Sequence, residues 1–536
     1  VATGEARLAA GLAAVLDAEA GLLLLDPPMA AQRYYALELA RLADRENHIN
    51  HTSQAPGTIQ TGARFELAAN AASTEEAERA FALGAESIGL FRSEMLFLDQ
   101  PSPPDETAQL QIYQRLLKTA GGRMVIIRTL DAGGDKPLPY LHLPAEENPA
   151  LGYRAIRIYR EFETLFRTQL RALLRASASG PLRIMIPMVT TSDEARWVKN
   201  IFQEEKAHLS ATGLPFNPAT QLGAMIEVPA AAYALPVLGQ EFDFFSIGSN
   251  DLLQYFAATD RADARLAHLY TPTNPAFLQL LKNIVDQAHA QQKWIGLCGE
   301  MAGQIRCLPL LLGLGLDEIS VSANVLRDLK MELAAWQLAE SRQLLLTALG
   351  CPSSRAVEAL LAQPADRTPL ALLTPDLVLL DAVAADKFEA IKLATDRLFV
   401  LGRTQQPRAL ERAVWEREQI GSTGFGHAFA IPHGKSGALR SNSLVLVKFK
   451  TPVAWDSLDG EPVKIMILVA IREADAHTQH MSILAKLARR VMDETFREEL
   501  QQAADGTTIC DYVNACIGAS PRVRPAAAAA PSLREL

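Results

Sequence analysis

From about residue 61 onward, short apolar runs rich in β-branched and aromatic residues alternate with longer stretches whose apolar positions recur every three to four residues. Eight runs read as strands: Phe65 to Ala69, Ser87 to Phe91, Met124 to Thr129, Arg183 to Met188, Leu222 to Val228, Phe242 to Ile247, Trp294 to Cys298 and Glu318 to Val321. Helical spacing fills Thr74 to Leu83, Glu161 to Ala176, Asp193 to Leu209 and Pro275 to Ala290 between them. Strand and helix in alternation imply parallel pairing through right-handed crossovers. Eight such units predict an α/β fold of the (β/α)₈ barrel type within residues 61–345, with a doubly wound open sheet as the alternative.

Different patterns flank this region. The opening AAGLAAVLDAEAGLLLLDP predicts two short strands, Ala13 to Leu16 and Leu22 to Leu25, turned at Asp17 to Gly21 and stopped by Pro27 and Pro28, so that residues 1–28 read as the end of a domain. Residues 29–60 hold an amphipathic helix from Met29 to His48, expected to connect two domains. His48 and His51 at its end read as surface histidines. Residues 346–373, with CPSS, QPAD and RTPL, read as a linker. A second domain at 374–518 is expected to carry helices at Lys387 to Leu401, Gln406 to Gln419, Thr478 to Met492 and Asp493 to Ala504 around strands at Ser443 to Phe449 and Val463 to Ala470. The Pro- and Ala-rich tail, 519–536, has little to bury and is expected to be disordered.

Charge and cysteine usage narrow the function. A net charge of −9 argues against a nucleic-acid partner, which needs a basic surface, but not against small anions held by local arginines. Five scattered cysteines without metal-ligand spacing suit a reducing cytoplasm. The apolar opening is broken by Asp17 and Glu19 and reads neither as a membrane span nor as a signal peptide.

Barrel enzymes gather chemistry at the C-terminal ends of their strands, which gives the fold a functional test. The second run ends in GLFRSEMLF with Arg92 and Glu94, the third in IIRTLDAGGDK with Arg128, Asp131 and Lys136, and the fifth in IEVPAA with Glu227. The sixth opens FFSIGSNDLLQYFAATDR with Asn250, Asp251 and Arg261, and the seventh ends in LCGEMAG with Cys298 and Glu300. Arginines and a lysine at one mouth imply a charge excess that a multiply anionic ligand relieves. Glu227 and Asp251 are enough protein ligands for Mg²⁺, which takes its remaining oxygens from phosphate or water. Cys298 can be a small buried hydrophobe or, at this position, a proton donor to carbon. Asn250 or Asp251 can also cap the helix that follows the sixth strand.

The segments GLFRSEMLF, RTLDAGGDK, ENPALGYRAIR, RIMIPMV, IEVPAAA, FFSIGSNDLLQY and LCGEMAG resemble the phosphoenolpyruvate-binding barrel of enzyme I of the bacterial sugar phosphotransferase system over most of Phe65 to Glu340. That resemblance implies phosphoenolpyruvate binding by Arg92, Arg128, Asn250, Asp251 and Arg261 with Lys136 as a further phosphate contact, Mg²⁺ on Glu227 and Asp251, and Cys298 as the acid that protonates the enol carbon. It also implies a homodimer through the barrel. Phe91, Ser93 and Met95 stand where the family more often has Tyr, Thr and Phe, and none removes a charge. Enzyme I passes the phosphoryl group to a histidine on a swivelling domain; its Gly-Gly-x-x-x-His type motif does not occur here, and residues 1–28 resemble the last hairpin of that domain.

In the second domain the informative stretch is REQIGSTGFGHAFAIPHGKS, where a glycine-rich loop leads to His433 with Arg417 upstream. Taken alone, His433 reads as a core or cap residue, but an arginine beside an imidazole suits phosphoryl transfer. This stretch, with AWD and HMSILAKLA, resembles enzyme IIA of the fructose and mannitol type. By that resemblance His433 is the phosphorylated histidine, Arg417 stabilises the phosphate and His480 is a second nearby histidine; His427 stands where the family often has an acidic or amide residue. A barrel followed by a smaller α/β enzyme IIA-type domain resembles the rear part of a multiphosphoryl transfer protein. A histidine phosphocarrier and membrane sugar permease components are then the expected partners. The alternatives are a phosphoenolpyruvate-sensing regulatory phosphoprotein, or an enzyme resembling pyruvate phosphate dikinase or phosphoenolpyruvate synthase, for which a nucleotide-binding P-loop is lacking.

Overall fold

The computed structural model describes residues 13–518 apart from 19, 54, 60–61, 99, 134–137, 139, 142, 144–145, 363–370, 405 and 476–479. Of these, residues 13–49 and those from 371 onward form one compact unit, and those from 50 to 362 form another.

The chain opens with an antiparallel hairpin, β1 (Ala14–Asp17) and β2 (Leu22–Leu25), and the long helix α1 (Met29–Ser53). The barrel strands follow: β3 (Glu66–Ala71), β4 (Ile88–Arg92), β5 (Val125–Arg128), β6 (Leu182–Ile186), β7 (Gln221–Ile226), β8 (Phe244–Gly248), β9 (Trp294–Cys298) and β10 (Glu318–Ser322). Each pairs in parallel with its sequence neighbour, and β10 closes on β3. This is the expected (β/α)₈ barrel, with every expected strand present and ends displaced by up to two residues.

Local signals explain the helices between strands. Thr191 and Glu194 form a reciprocal capping box at Ser192–Ala211, and Asp105 caps Glu106–Ala120, which ends on the left-handed Gly121. Apolar side chains of strands and helices pack into one large shell. Inside the barrel a small layer of Leu90, Ile126, Met185, Met225, Phe244 and Cys298 fills the lumen, so the barrel is a plugged core with an open mouth. Register brings rim residues side by side: Arg92 lies opposite Arg128, and Gly248 opposite Cys298.

In the other unit, a mixed sheet runs in the order β11, β15, β16, β13, β12, with β14 also on β16. These strands are β11 (Val378–Ala382), β12 (Gly424–Gly426), β13 (Phe429–Ala430), β14 (His433–Ser436), β15 (Ser443–Val453) and β16 (Val463–Arg472). β15 and β16 are antiparallel, whereas β13 and β14 run parallel to β16. The expected helices appear at Lys387–Val400, Pro407–Ile420, His480–Met492 and Glu494–Gln502, and Gly506–Ile517 adds one more. The short strands β12 to β14 were not expected. Each draws its stability from β16 and its neighbours more than from its own length. Among the described residues, no helix is long and apolar enough to cross a membrane.

Candidate functional site

A cavity of about 750 Å³ opens at the C-terminal ends of the barrel strands, lined by Arg92, Arg128, Arg154, Glu227, Asn250, Asp251, Arg261 and Cys298 among others. The side chains read from separate motifs therefore share one space. Lys136 lies outside the described residues.

The guanidinium groups differ in their fixing. Arg128 is buried; its Nη2 donates to Glu94 Oε1 at 2.6 Å and lies 3.0 Å from Asp131 Oδ2. Arg154, also buried, grips Asp131 with two nitrogens at 2.8 to 3.1 Å and approaches Asp251 Oδ2 at 3.7 Å. Arg261 is partly exposed and donates to Asp251 Oδ1 at 3.2 Å, while Arg92 is exposed at the rim. The expected charge excess is thus largely offset by carboxylates, which hold the guanidinium planes in place before a ligand arrives.

Backbone features hold these groups. Ser93 Oγ donates to the carbonyl of Arg128 at 2.7 Å, and Gln169 donates to Ser93 Oγ while accepting from the amide of Leu130. This buried bracket joins the ends of β4 and β5. Arg154 arrives from a loop twenty-odd residues downstream through an antiparallel bridge to Gly133. Gly133 has φ +102, and a Cβ there would meet the Tyr153 carbonyl at 2.4 Å. No other residue suits that position.

Asn250 and Asp251 stand in the first turn of α2 (Ser249–Ala257). Gly248 occupies the N-cap position and no side chain caps the helix, so the capping role allowed by the sequence is not filled by either residue. Asn250 Oδ1 instead accepts from the amide of Glu300 at 2.9 Å. The intervening Gly299, at φ +120, leaves room for Ser249 Oγ, which a Cβ would approach to 2.2 Å.

Glu227 is buried beside Asp251, and its Oε1 accepts from the Met188 amide at 2.7 Å. Burial and then the Asp251 charge push its carboxyl up to about 8. Two hard-oxygen groups that repel each other above a cavity fit a divalent cation such as Mg²⁺, which needs few protein carboxylates. Among the described residues, no group of three or more His, Cys, Asp or Glu side chains is placed to hold a metal.

Cys298 faces the cavity from the end of β9. Its Sγ donates to the Ile247 carbonyl at 3.5 Å and receives Ser246 Oγ at 3.7 Å. Burial pushes the thiol up to about 12, which keeps its proton in place at neutral pH.

In the other unit, Arg417 Nε donates to His433 Nε2 at 2.9 Å, and the His433 Nδ1 faces the Ile431 carbonyl at 3.1 Å. The ring is thereby in the tautomer with its proton on Nδ1 and a lone pair on Nε2. A second Arg417 nitrogen donates to the Gly421 carbonyl at 3.0 Å. His427 has φ 56 in the glycine loop, and its amide donates to Asp459. His480 opens its helix, but its side chain lies outside the described residues.

Residues 46–338 match the family described as PEP-utilising enzyme, PEP-binding domain. The chain belongs to this family. Residues 371–516 match the family described as phosphoenolpyruvate-dependent sugar phosphotransferase system, EIIA 2. Multiphosphoryl transfer proteins 2 and 1 of Escherichia coli (strain K12) are 44% and 42% identical over 501 residues, which is 93% of this chain and 60% of each relative. The phosphoenolpyruvate-protein phosphotransferase of Enterococcus faecalis is 45% identical over 325 residues, 60% of this chain and 56% of that one. The chain thus spans about 60% of the length of the multiphosphoryl transfer relatives it matches. Among solved structures, nitrogen regulatory protein IIA-Ntr from Neisseria meningitidis aligns with a TM-score of 0.24 at 25% identity, over 27% of this chain and 96% of that one.

Within this PEP-utilising barrel, the residue that sequence reasoning missed is Arg154. It sits in the motif ENPALGYRAIR, well away from any strand end, and the bridge to Gly133 returns it to the mouth.

Proposed function

We propose that the chain is a phosphoenolpyruvate-dependent phosphotransferase of the sugar phosphotransferase system, with phosphoryl donor chemistry in the barrel and a phosphocarrier histidine in the EIIA-type unit. The observation that carries this reading is the convergence of Arg128, Arg154, Arg261, Glu227, Asp251 and Cys298 on one cavity.

Arg92, Arg128, Arg154 and Arg261 bind the phosphate and carboxylate of phosphoenolpyruvate by charge-assisted hydrogen bonds, and Asn250 orients it. Lys136 is a further phosphate contact. Glu227 and Asp251 are the residues that would hold Mg²⁺, and it would supply neutralisation of phosphoryl charge there. Pre-paired arginines spend little reorganisation as charge shifts towards the enolate oxygen, which is the requirement for electrostatic catalysis. The P–O bond to the enol breaks as a phosphocarrier histidine takes the phosphoryl group, and Cys298 then gives its proton to the methylene carbon to release pyruvate.

In the EIIA-type unit, Nε2 of His433 accepts a phosphoryl group from a histidine phosphocarrier protein or domain, with Arg417 balancing its charge and His480 nearby. From there it passes to the membrane permease components of a fructose- or mannitol-class sugar. The working place is the cytoplasm, and the working form is a dimer through the barrel.

Incubation with labelled phosphoenolpyruvate, Mg²⁺, a separately prepared swivelling domain and a histidine phosphocarrier protein tests the reading. Acid-labile label on His433, lost in His433→Ala, is the expected result. Label that persists in His433→Ala overturns the carrier assignment, and failure of this chain to phosphorylate the swivelling domain overturns the barrel assignment.

A further inference from the structure

The helix α1 was expected to connect two domains, yet two of its charged side chains are deeply buried. Glu38 is 3% exposed and Arg41 5% exposed, although both read as solvent-facing in the hydrophobic pattern. Their partners belong to the EIIA-type unit, on α3 (Lys387–Val400) and α4 (Pro407–Ile420). Glu38 pairs with Lys392, itself 1% exposed, and accepts from Arg408 at 2.7 Å and from Arg41 at 2.9 Å. Arg41 reaches Asp396 at 3.4 Å, and Lys392 lies 3.1 Å from Asp396 and 3.7 Å from Glu411.

The hairpin extends the contact. Arg408 pairs with Asp17 at 2.8 Å, and Tyr35 donates to the same carboxylate. Rings frame the charges: Lys392 sits 4.9 Å over Tyr34, while Arg41 and Arg45 lie 4.9 and 3.9 Å over Phe399.

Buried charges are costly unless paired, and truncating one partner strands the other. Burial pushes the carboxyls of Asp396 and Glu411 up, which makes them reluctant anions. Glu38 is pushed up by its own burial, but Lys392 and Arg408 more than reverse this and hold it below the ordinary carboxylate range. The firm counter-ion of Lys392 therefore comes from α1. A buried set with this many mutual constraints accepts one docked position and register, in the way that a buried polar residue fixes the register of a coiled coil.

We propose that the α3–α4 face of the EIIA-type unit is a docking surface whose partner is the segment Ala14–Ile49 of the same chain, locked by Glu38, Arg41, Lys392 and Arg408. The unit is then built from two segments of chain separated in sequence by the whole barrel. The same α4 that receives the segment carries Arg417 about two and a half turns beyond Arg408.

Amide hydrogen exchange on the full chain tests this and does not depend on the phosphotransfer reading, since the readout needs no substrate. Glu38→Ala should speed exchange of residues 29–48 by about 100-fold and Glu38→Gln by about 10-fold, with barrel amides unchanged, because a buried lysine loses its anion. The double variant Glu38→Leu/Lys392→Met should return exchange to within about 10-fold of the parent, since a matched apolar pair replaces the charges. Asp44→Ala, on the exposed side of α1, should change nothing. Exchange of residues 29–48 within threefold of the parent in both Glu38 variants overturns the proposal, as does an unprotected α1 in the parent chain.

Discussion

Arg417 aims its Nε at Nε2 of His433 from 2.9 Å, so the nitrogen that would take a phosphoryl group already faces a fixed cation. Burial first, and the arginine as well, hold this imidazole below its ordinary 6.5. The neutral ring should therefore persist below pH 6.5, and selectively labelled His433 should titrate below that value. Arg417→Ala should move the transition upward, because one source of repulsion is gone. The folded ring binds its proton at lower pH than the unfolded chain does, so stability falls as pH drops through about 6.5 and levels off below the folded value. An Arg417→Ala transition at or below that of the parent contradicts the pairing.

Glu418, next to Arg417 in sequence, anchors the loop that positions it. Its buried carboxylate accepts from the Thr423 amide and hydroxyl, from Trp455 Nε1 at 3.2 Å and from Lys387 at 3.3 Å. Glu418→Gln keeps the shape but turns an amide nitrogen towards one of these donors. We expect a loss of about 1–3 kcal/mol in the unfolding of this unit. Labelling of His433 should slow by about 10-fold, since the Gly421 carbonyl that orients Arg417 belongs to the same loop. Normal labelling kinetics in a destabilised variant would limit Glu418 to a stabilising role.

The barrel was legible because each strand is a compact apolar run and each strand end carries its own polar signature, as at Gly248 to Asp251 and Cys298 to Glu300. What escaped depends on distant backbone. Strands β12 to β14 are two to four residues long; β13 and β14 form because β16 supplies a partner and β12 because β13 does, pairings that no local window reveals. Arg154 lies in a loop, and its place is set by Gly133. Glu38 and Arg41 mislead outright: hydropathy assigns charges to the wet face, whereas here complementary charges on α3 and α4 compensate for their burial.

Arg154 should matter more to the barrel chemistry than the exposed Arg92. It joins Asp131 to Asp251, and so links the carboxylate that pairs with Arg128 to the candidate metal ligands. Arg154→Ala removes a charge facing the cavity and leaves Asp131 to Arg128 and Asp251 to Arg261, each with one guanidinium fewer. Phosphorylation of a swivelling domain should fall by about 10²-fold or more in kcat/KM, the scale for losing one preorganised charge stabiliser. Arg154→Lys should recover little of it, because a point charge cannot replace a guanidinium that contacts Asp131 through two nitrogens. Full activity in Arg154→Lys would reduce the residue to a general positive charge.

Gly133→Ala should reproduce part of that defect without touching a charge. The left-handed φ of +102 and the 2.4 Å approach of the Tyr153 carbonyl leave no space for a methyl group, so the Gly133–Arg154 bridge must shift. The backbone strain alone is about 1–3 kcal/mol. The expected signature is a raised KM for phosphoenolpyruvate with the barrel still folded by circular dichroism. An unchanged KM contradicts the claim that this bridge sets the position of Arg154.

Cys298 should be a poor nucleophile and a well-protected acid. With the thiol pushed up to about 12 and 2% of its surface exposed, its thiolate fraction at pH 8 is about 10⁻⁴, whereas an ordinary thiol near 9 has about a tenth. Alkylation at pH 8, followed by peptide mass spectrometry, should modify the partly exposed Cys351 and Cys516 at least about 100-fold faster than Cys298. A competent acid must nevertheless surrender its proton when carbanion character develops above it, so Cys298→Ala should slow pyruvate formation by about 10²- to 10⁴-fold while leaving phosphoenolpyruvate binding nearly intact. Cys298→Ser separates chemistry from packing: it restores the volume but not the acidity, and should stay close to the alanine variant. Parent-like turnover in Cys298→Ser would assign the proton to another donor in the cavity, and rapid alkylation of Cys298 would show that its thiol is not held in the buried layer beneath Arg128.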